Sequence, residues 1–314
     1  MIKNHHTFVC VNDMSKKILQ KYKTFIDKNK YLFAVVLFLT GTCLHTLHTV
    51  LIKFIGTNTT CSTYEILFLR GFFTFIIFTP LFLIKTIKLI VNRQVIPILI
   101  TVLLLSMCST YCWHYGMSMI PINNGVIINF LSPIATSVVA CLFIKEKLSK
   151  EIVISIIICF LTIFFAYGFT SSFTLGYVLL VCDILSYSMY VVLSKKLIVQ
   201  TKSPASLLYF QVMIICITSL HVLPSLTVKI SADYNILLST FLTTLFYIAE
   251  GMLILKAYTY TSVSSLQPLY YTRFIFASIF SYLLLGEMLT LQQILTAAII
   301  VVVNLNVIRI LKKR

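Results

Sequence analysis

Charge is what this chain has least of. Only 11% of its 314 residues are charged and only nine are acidic, whereas a soluble domain is about a quarter charged. A soluble fold of this composition would precipitate. Catalytic signatures are missing too. There is no G-x-x-x-x-G-K-[ST] sequence, so the chain does not hydrolyse ATP through a P-loop. The absence of H-E-x-x-H and G-x-S-x-G argues against an intramembrane zinc or serine hydrolase. Nothing matches a potassium-channel filter. Cysteine does not form a ligand set. Cys43, Cys108, Cys112, Cys141, Cys159, Cys182 and Cys216 sit in apolar runs and behave as small hydrophobes. Cys108 and Cys112 share a helix face, yet a metal needs further ligands within reach. No metal, cofactor or enzymatic activity is expected.

Long apolar runs take the place of charge, with 59% of the residues hydrophobic. Ten runs have the length that suits a hydrocarbon core about 30 Å thick. They lie near 31–52, 65–84, 95–116, 124–144, 152–169, 175–194, 205–224, 236–255, 262–285 and 291–311. Backbone amides at that depth find no water, so each run must close its hydrogen bonds within a helix. The expected fold class is an all-α polytopic membrane protein of ten transmembrane helices. The connections are short, so any site has to be built inside the bundle.

A net charge of +16 could point to nucleic acid, but its placement along the chain points to a membrane. Of the 25 basic residues, 21 fall in the tail and in alternate connections that share one side. Lys53 and Lys229 fall on the other, and Arg70 and Arg273 lie within runs. The positive-inside rule places both termini in the cytoplasm. Residues 1–30 read as a retained basic tail, a solvated topology signal or else one in contact with anionic lipid headgroups, not as a cleaved leader.

The runs also repeat. Ser137, Glu146 and Ser149 recur 141 residues on as Ser278, Glu287 and Thr290, and Lys53 corresponds to Lys195. Residues 31–169 and 170–314 thus form two five-helix units. An odd number of spans inverts the second relative to the first, an arrangement found in secondary transporters. The loop after run four carries three lysines and its counterpart after run nine carries none, as inversion requires.

Ionisable groups within a membrane are costly and usually face an internal cavity. Run six places Asp183, Tyr187 and Tyr190 on one stripe, with Ser186 and Ser194. Run nine brings Tyr270, Tyr271 and Arg273 just after Pro268. Asp183 or Glu250 is the expected partner of Arg273, as a structural lock or a ligand-sensitive switch. The expected binding set is Asp183, Tyr187, Tyr190, Glu250, Tyr270, Tyr271 and Arg273. His45, His48, Glu65, Arg70 and His114 are candidates for coupling or gating, although each histidine could equally be an interhelical hydrogen-bonder and Arg70 could snorkel outward. Asn123, Asn124 and Asn129 form a polar entry to run four, which Pro133 should kink. Glu146 and Glu287 end matching runs and should anchor loops.

The stretch Trp113-His114-Tyr115-Gly116 leads through Asn129-Phe130-Leu131-Ser132-Pro133 to Lys145-Glu146-Lys147. Its copy runs from Leu255-Lys256-Ala257-Tyr258 through Gln267-Pro268-Leu269-Tyr270-Tyr271 to Gly286-Glu287. This pattern resembles the ten-span EamA-type members of the drug/metabolite transporter superfamily over residues 31–311. The resemblance implies a bacterial inner-membrane carrier working by alternating access, with spans five and ten peripheral. The segments 64–73, 194–197 and 255–258 are similar to superfamily members that take up S-adenosylmethionine. That molecule is then the implied ligand, and the alternative is an exporter of amino acids or drugs.

Overall fold

The computed structural model describes residues 29–58, 61–84, 93–120, 125, 128–167, 174–226, 235–286 and 290–312, among which there is no strand. Among the described residues eleven α-helices of eight residues or more follow in order. They are α1 (Lys30–Asn58), α2 (Thr63–Leu83), α3 (Ile96–Met119), α4 (Ser132–Ile144), α5 (Lys150–Tyr167), α6 (Leu175–Thr201) and α7 (Pro204–Thr218). Then come α8 (Asn235–Tyr260), α9 (Val263–Tyr270), α10 (Thr272–Leu285) and α11 (Leu291–Lys312).

Six of them, α1, α2, α3, α6, α8 and α11, are long and apolar enough to cross a bilayer. A seventh crossing results if α7 and the bent segment to Leu226 count as one. Apolar side chains stay exposed along α5 (Ile154, Ile157, Phe165) and α11 (Leu291, Ile294, Leu295, Val302), where a soluble protein would carry charge. The chain is a multi-pass membrane protein.

Local chemistry explains where helices start and break. Ser62 and Glu65 form a reciprocal capping box at the start of α2, with the Ser62 amide donating to Glu65 at 2.6 Å. Run four is helical at 125 and 128–129, turns at 130–131 and resumes as α4 at Ser132. The break falls just ahead of Pro133, which sits in the first turn of α4, where the missing N–H costs nothing. Run nine is divided at Tyr271 into α9 and α10, three residues past Pro268.

The tightest pairings are α1 with α8 and α3 with α6, followed by α2 with α7 and α4 with α6; α4 also packs on α9. At the α3–α6 crossing a Cβ on Gly176 would lie 2.6 Å from Ile120 and 3.1 Å from the Gly116 carbonyl oxygen. Only glycine lets the two backbones approach this closely. In the α1–α8 pair the small residues Ala34 and Ala257 are fully buried in one cluster. Helices α4 and α10 end alike. Lys145 (φ 53°) and Gly286 (φ 68°) adopt the left-handed conformation, and their amides donate to Ala140 and Ser281 respectively.

Candidate functional site

A cavity of about 310 Å³ lies in the middle of the bundle, at the small end of ligand-site volumes. It is walled by α1, α2, α3, α6, α7, α8, α9 and α10, with Asn129 just ahead of α4. Neither α5 nor α11 contributes a side chain. Of the expected binding set, Asp183, Tyr187, Tyr190, Glu250, Tyr270 and Arg273 line it together, as do His45, His48, Arg70 and His114.

Two expected residues face elsewhere. Tyr271 is fully buried outside the cavity lining, stacked on Phe130 with ring centroids 5.6 Å apart, and its hydroxyl donates to the Phe130 carbonyl at 3.0 Å. Its adjacency to Tyr270 misled, because neighbouring helical residues point about 100° apart. Glu65 is occupied at the α2 cap and also accepts from Ser225 at 2.7 Å. Asn123, Asn124, Glu287 and Lys53 bear on expectations that lie outside the described side chains.

Four charged side chains line the cavity, two of each sign. Arg273 was expected to pair with Asp183 or Glu250, but no ion pair joins it to either among the described residues. Its guanidinium lies instead over the Tyr270 ring, 4.0 Å from the centroid. Arg70, a coupling or gating candidate for which snorkelling was the alternative, is buried over the Tyr247 ring at 4.1 Å. The Nε of each arginine is buried without a hydrogen-bond partner. Asp183 accepts from the Ser109 hydroxyl at 2.6 Å. Glu250 is gripped by His45 Nδ1 at 2.9 Å and His48 Nδ1 at 3.0 Å, one on each oxygen.

Tyrosines form the remaining polar walls. Tyr187 and Tyr190 stand 5.9 Å apart on α6, and Tyr270 donates to Asn129 at 2.9 Å. Tyr247 and Tyr258 on α8 were not anticipated, although they share a face with Glu250 at positions 247, 250, 254 and 258. Trp113, the chain's single tryptophan, also lines the cavity. The site can therefore meet a positive group, a negative group and a planar ring.

Below α4, at the lysine-rich end, Glu146 joins the halves of the chain. It accepts from Lys195 Nζ at 2.8 Å, from the Val263 and Ser264 amides at 2.9 Å each, and from the Ser264 hydroxyl at 2.7 Å. The amides are free donors of the first turn of α9, where a carboxylate also meets the positive end of the helix dipole. Burial pushes the Glu146 carboxyl up, but the bonds from Lys195 and Ser264 outweigh it and hold its pKa below 4.5.

The EamA-like transporter family model matches residues 32–168 and again 174–307. The S-adenosylmethionine uptake transporter of Rickettsia prowazekii (strain Madrid E) is 23% identical over 292 residues, covering 90% of this chain and 95% of that protein. The protein of the same description from Rickettsia bellii (strain RML369-C) is 24% identical over 274 residues, 84% of this chain and 89% of its own. A solved crystal structure matches with a TM-score of 0.70 at 12% identity, over 89% of this chain and 98% of the other.

Proposed function

The chain belongs to the EamA-like transporter family, and from that premise we propose that it takes up S-adenosylmethionine across the bacterial inner membrane by alternating access. The observation that carries the ligand is the composition of the cavity wall. Carboxylates Asp183 and Glu250 would receive the sulfonium and amino groups, Arg273 or Arg70 the carboxylate, and the tyrosine rings the adenine. The names of the rickettsial relatives support the same ligand.

The machine we propose is ten spans in two inverted copies, residues 31–169 and 170–314, with both termini cytoplasmic. Several features support it. The family model matches twice. Helix pairs α1–α8 and α6–α3 correspond when residues are shifted by one repeat, and small residues lie at both: Ala34 and Ala257 in one, Gly176 and Gly116 in the other. The left-handed caps Lys145 and Gly286 are 141 positions apart, as are their acceptors Ala140 and Ser281. Positions 141 apart also touch: Tyr270 bonds Asn129 and Tyr271 bonds Phe130. Equivalent residues of two copies meet in this way at a two-fold axis. Rocking of one copy against the other about that axis would open the cavity to each side in turn, with the Glu146 clamp fastening the cytoplasmic side.

The test is uptake of labelled S-adenosylmethionine by a bacterium expressing the chain, with S-adenosylhomocysteine and free amino acids as competitors. Saturable uptake blocked by S-adenosylhomocysteine is expected. No uptake in cells with confirmed membrane insertion would remove the ligand, and competition by amino acids alone would favour an amino-acid carrier.

A further inference from the structure

Two imidazoles and a carboxylate converge where α1 packs on α8. His45 and His48, three residues apart on one face of α1, turn Nδ1 toward opposite oxygens of Glu250 at 2.9 and 3.0 Å. One ligand atom from each of the three lies within 4.8 Å of the others. We infer that His45, His48 and Glu250 form a site for a divalent transition cation of the zinc kind, open toward the cavity, and that its occupancy arrests the carrier.

The ligand chemistry fits. Two histidine nitrogens and a glutamate oxygen form a set that zinc uses when a fourth position is left for water or substrate. Bonds to zinc run about 2.0–2.2 Å, so two ligands at the tetrahedral angle lie roughly 3.3–3.6 Å apart. The contacts of His45 and His48 with the Glu250 carboxylate, at 2.9 and 3.0 Å, already fall inside that distance. The imidazole nitrogens, within 4.8 Å of each other, need to close by at most about 1.5 Å to reach it. Small rotations of the side chains supply that, and all three residues border the cavity, which gives the ion a route in and leaves its fourth position free.

The choice of ion follows from the surroundings. Arg273 lies close enough to act electrostatically on both His45 and Glu250, so an extra cation meets repulsion. An ion held by charge alone is disfavoured there. One that gains strong bonds to imidazole is retained, which selects zinc or its soft neighbours over magnesium and calcium. The ligands come from α1, in the first half of the chain, and α8, in the second. A bound ion ties these helices together and opposes relative movement of the halves. This consequence rests on the transport reading; binding itself does not.

The test uses the full chain, purified without a polyhistidine tag and with His5 and His6 replaced by alanine to remove background ligands. Titration with Co²⁺ should give visible absorption bands saturating at one equivalent, competed by Zn²⁺ and unaffected by Mg²⁺. His45→Asn, His48→Asn and Glu250→Gln should each weaken binding by at least 10-fold while elution volume stays that of the parent. Glu250→Gln keeps an acceptor for one imidazole and guards against misfolding as the explanation. In cells, micromolar Zn²⁺ should block uptake reversibly, with chelator restoring it, and the half-inhibiting Zn²⁺ concentration, measured against each protein's own zinc-free uptake, should rise in His45→Asn. No cobalt bands in folded protein, or equal binding by the variants, overturns the site. Cobalt binding with zinc-insensitive uptake overturns the arrest. Cobalt binding in a chain that takes up no S-adenosylmethionine leaves the site standing and removes the ligand assignment instead.

Discussion

Replacing Glu146 by glutamine should loosen the bundle at its lysine-rich end. The carboxylate accepts four hydrogen bonds of 2.7–2.9 Å from Lys195, Val263 and Ser264. Glutamine keeps one oxygen and turns an NH₂ toward the rest; the Lys195 ammonium and the two amides cannot accept from it, although the Ser264 hydroxyl can, so at least one bond is lost along with the charge facing Lys195. Side-chain exposures of 9% for Glu146 and 18% for Lys195 mean that water screens little of this. Hydrogen bonds to charged groups contribute about 1.5–3 kcal/mol each, and breaking a buried pair costs about 3–5 kcal/mol. A loss of about 3 kcal/mol is expected, measured by chemical denaturation in detergent and followed by circular dichroism. The pH dependence gives a second reading. Because the folded carboxyl titrates below 4.5, its contribution is fully present above pH 4.5 and shrinks as pH falls toward the folded value. The slope is about 1.4 kcal/mol per pH unit in that window. The difference between wild type and Glu146→Gln should therefore be constant from pH 7 to about 5 and narrow below it. Equal stabilities at pH 7, or a difference that grows on acidification, would refute the clamp.

Asp183→Asn should raise the KM for S-adenosylmethionine uptake at least about 10-fold, equivalent to ~1.4 kcal/mol, without lowering the amount of protein in the membrane; unchanged KM would take Asp183 out of the binding set. Arg273→Lys should fail to support uptake, since an ammonium does not reproduce a planar guanidinium stacked on Tyr270. Tyr271→Phe should destabilise the fold by about 1–2 kcal/mol, because the Phe130 carbonyl loses its donor, while uptake KM stays that of the parent; a KM change would place Tyr271 in the site. Gly176→Ala should cost about 1–3 kcal/mol by forcing α3 and α6 apart, checked by the same denaturation experiment.

The all-helical membrane character was legible because apolar runs of bilayer length have few other structures available to them, whereas of the ten spans expected six, or seven with the bent pair, are long and apolar enough among the described residues. The charged lining of the cavity was legible for a related reason. Charge is so rare in the runs that Arg70, Asp183, Glu250 and Arg273 stood out, and all four border the cavity. Partnerships were not legible. Sequence spacing gives the direction of a side chain about its own helix axis, but not which face of another helix it meets. Arg273 was therefore assigned a carboxylate when a tyrosine ring beside it on the same segment took the place. The grip of His45 and His48 on Glu250 spans about 200 positions and left no local mark. Tyr247 and Tyr258 could have been found from their spacing on α8, since they share the face of Glu250. Tyr271 could have been set aside by the same geometry that included Tyr270.

The way those four charges are held bears on how a cavity like this can bind and release. In a medium of low dielectric, opposite charges within reach attract strongly and would be expected to pair. No such pair forms among them in the described residues. Asp183 is held by a hydroxyl, Glu250 by two imidazoles, and each arginine by the face of a tyrosine. Partners of this kind orient a charge and lower the cost of burying it. A zwitterionic ligand then meets a carboxylate for its cation and a guanidinium for its anion, with no arginine–carboxylate bridge to break first. The unpartnered Nε of Arg70 and Arg273 still have a hydrogen bond to give. The same arrangement limits affinity, because the stacked rings and donor groups regain their hold on the charges when the ligand leaves. A carrier needs that balance, since a ligand bound too tightly would not be released on the far side. Glutamine or methionine in place of Arg70 and Arg273 would pack the same volume, but would leave Asp183 and Glu250 as an uncompensated pair of negative charges. Such a variant should favour purely cationic ligands over zwitterions, and competition of uptake by a cation lacking the carboxylate measures that shift directly.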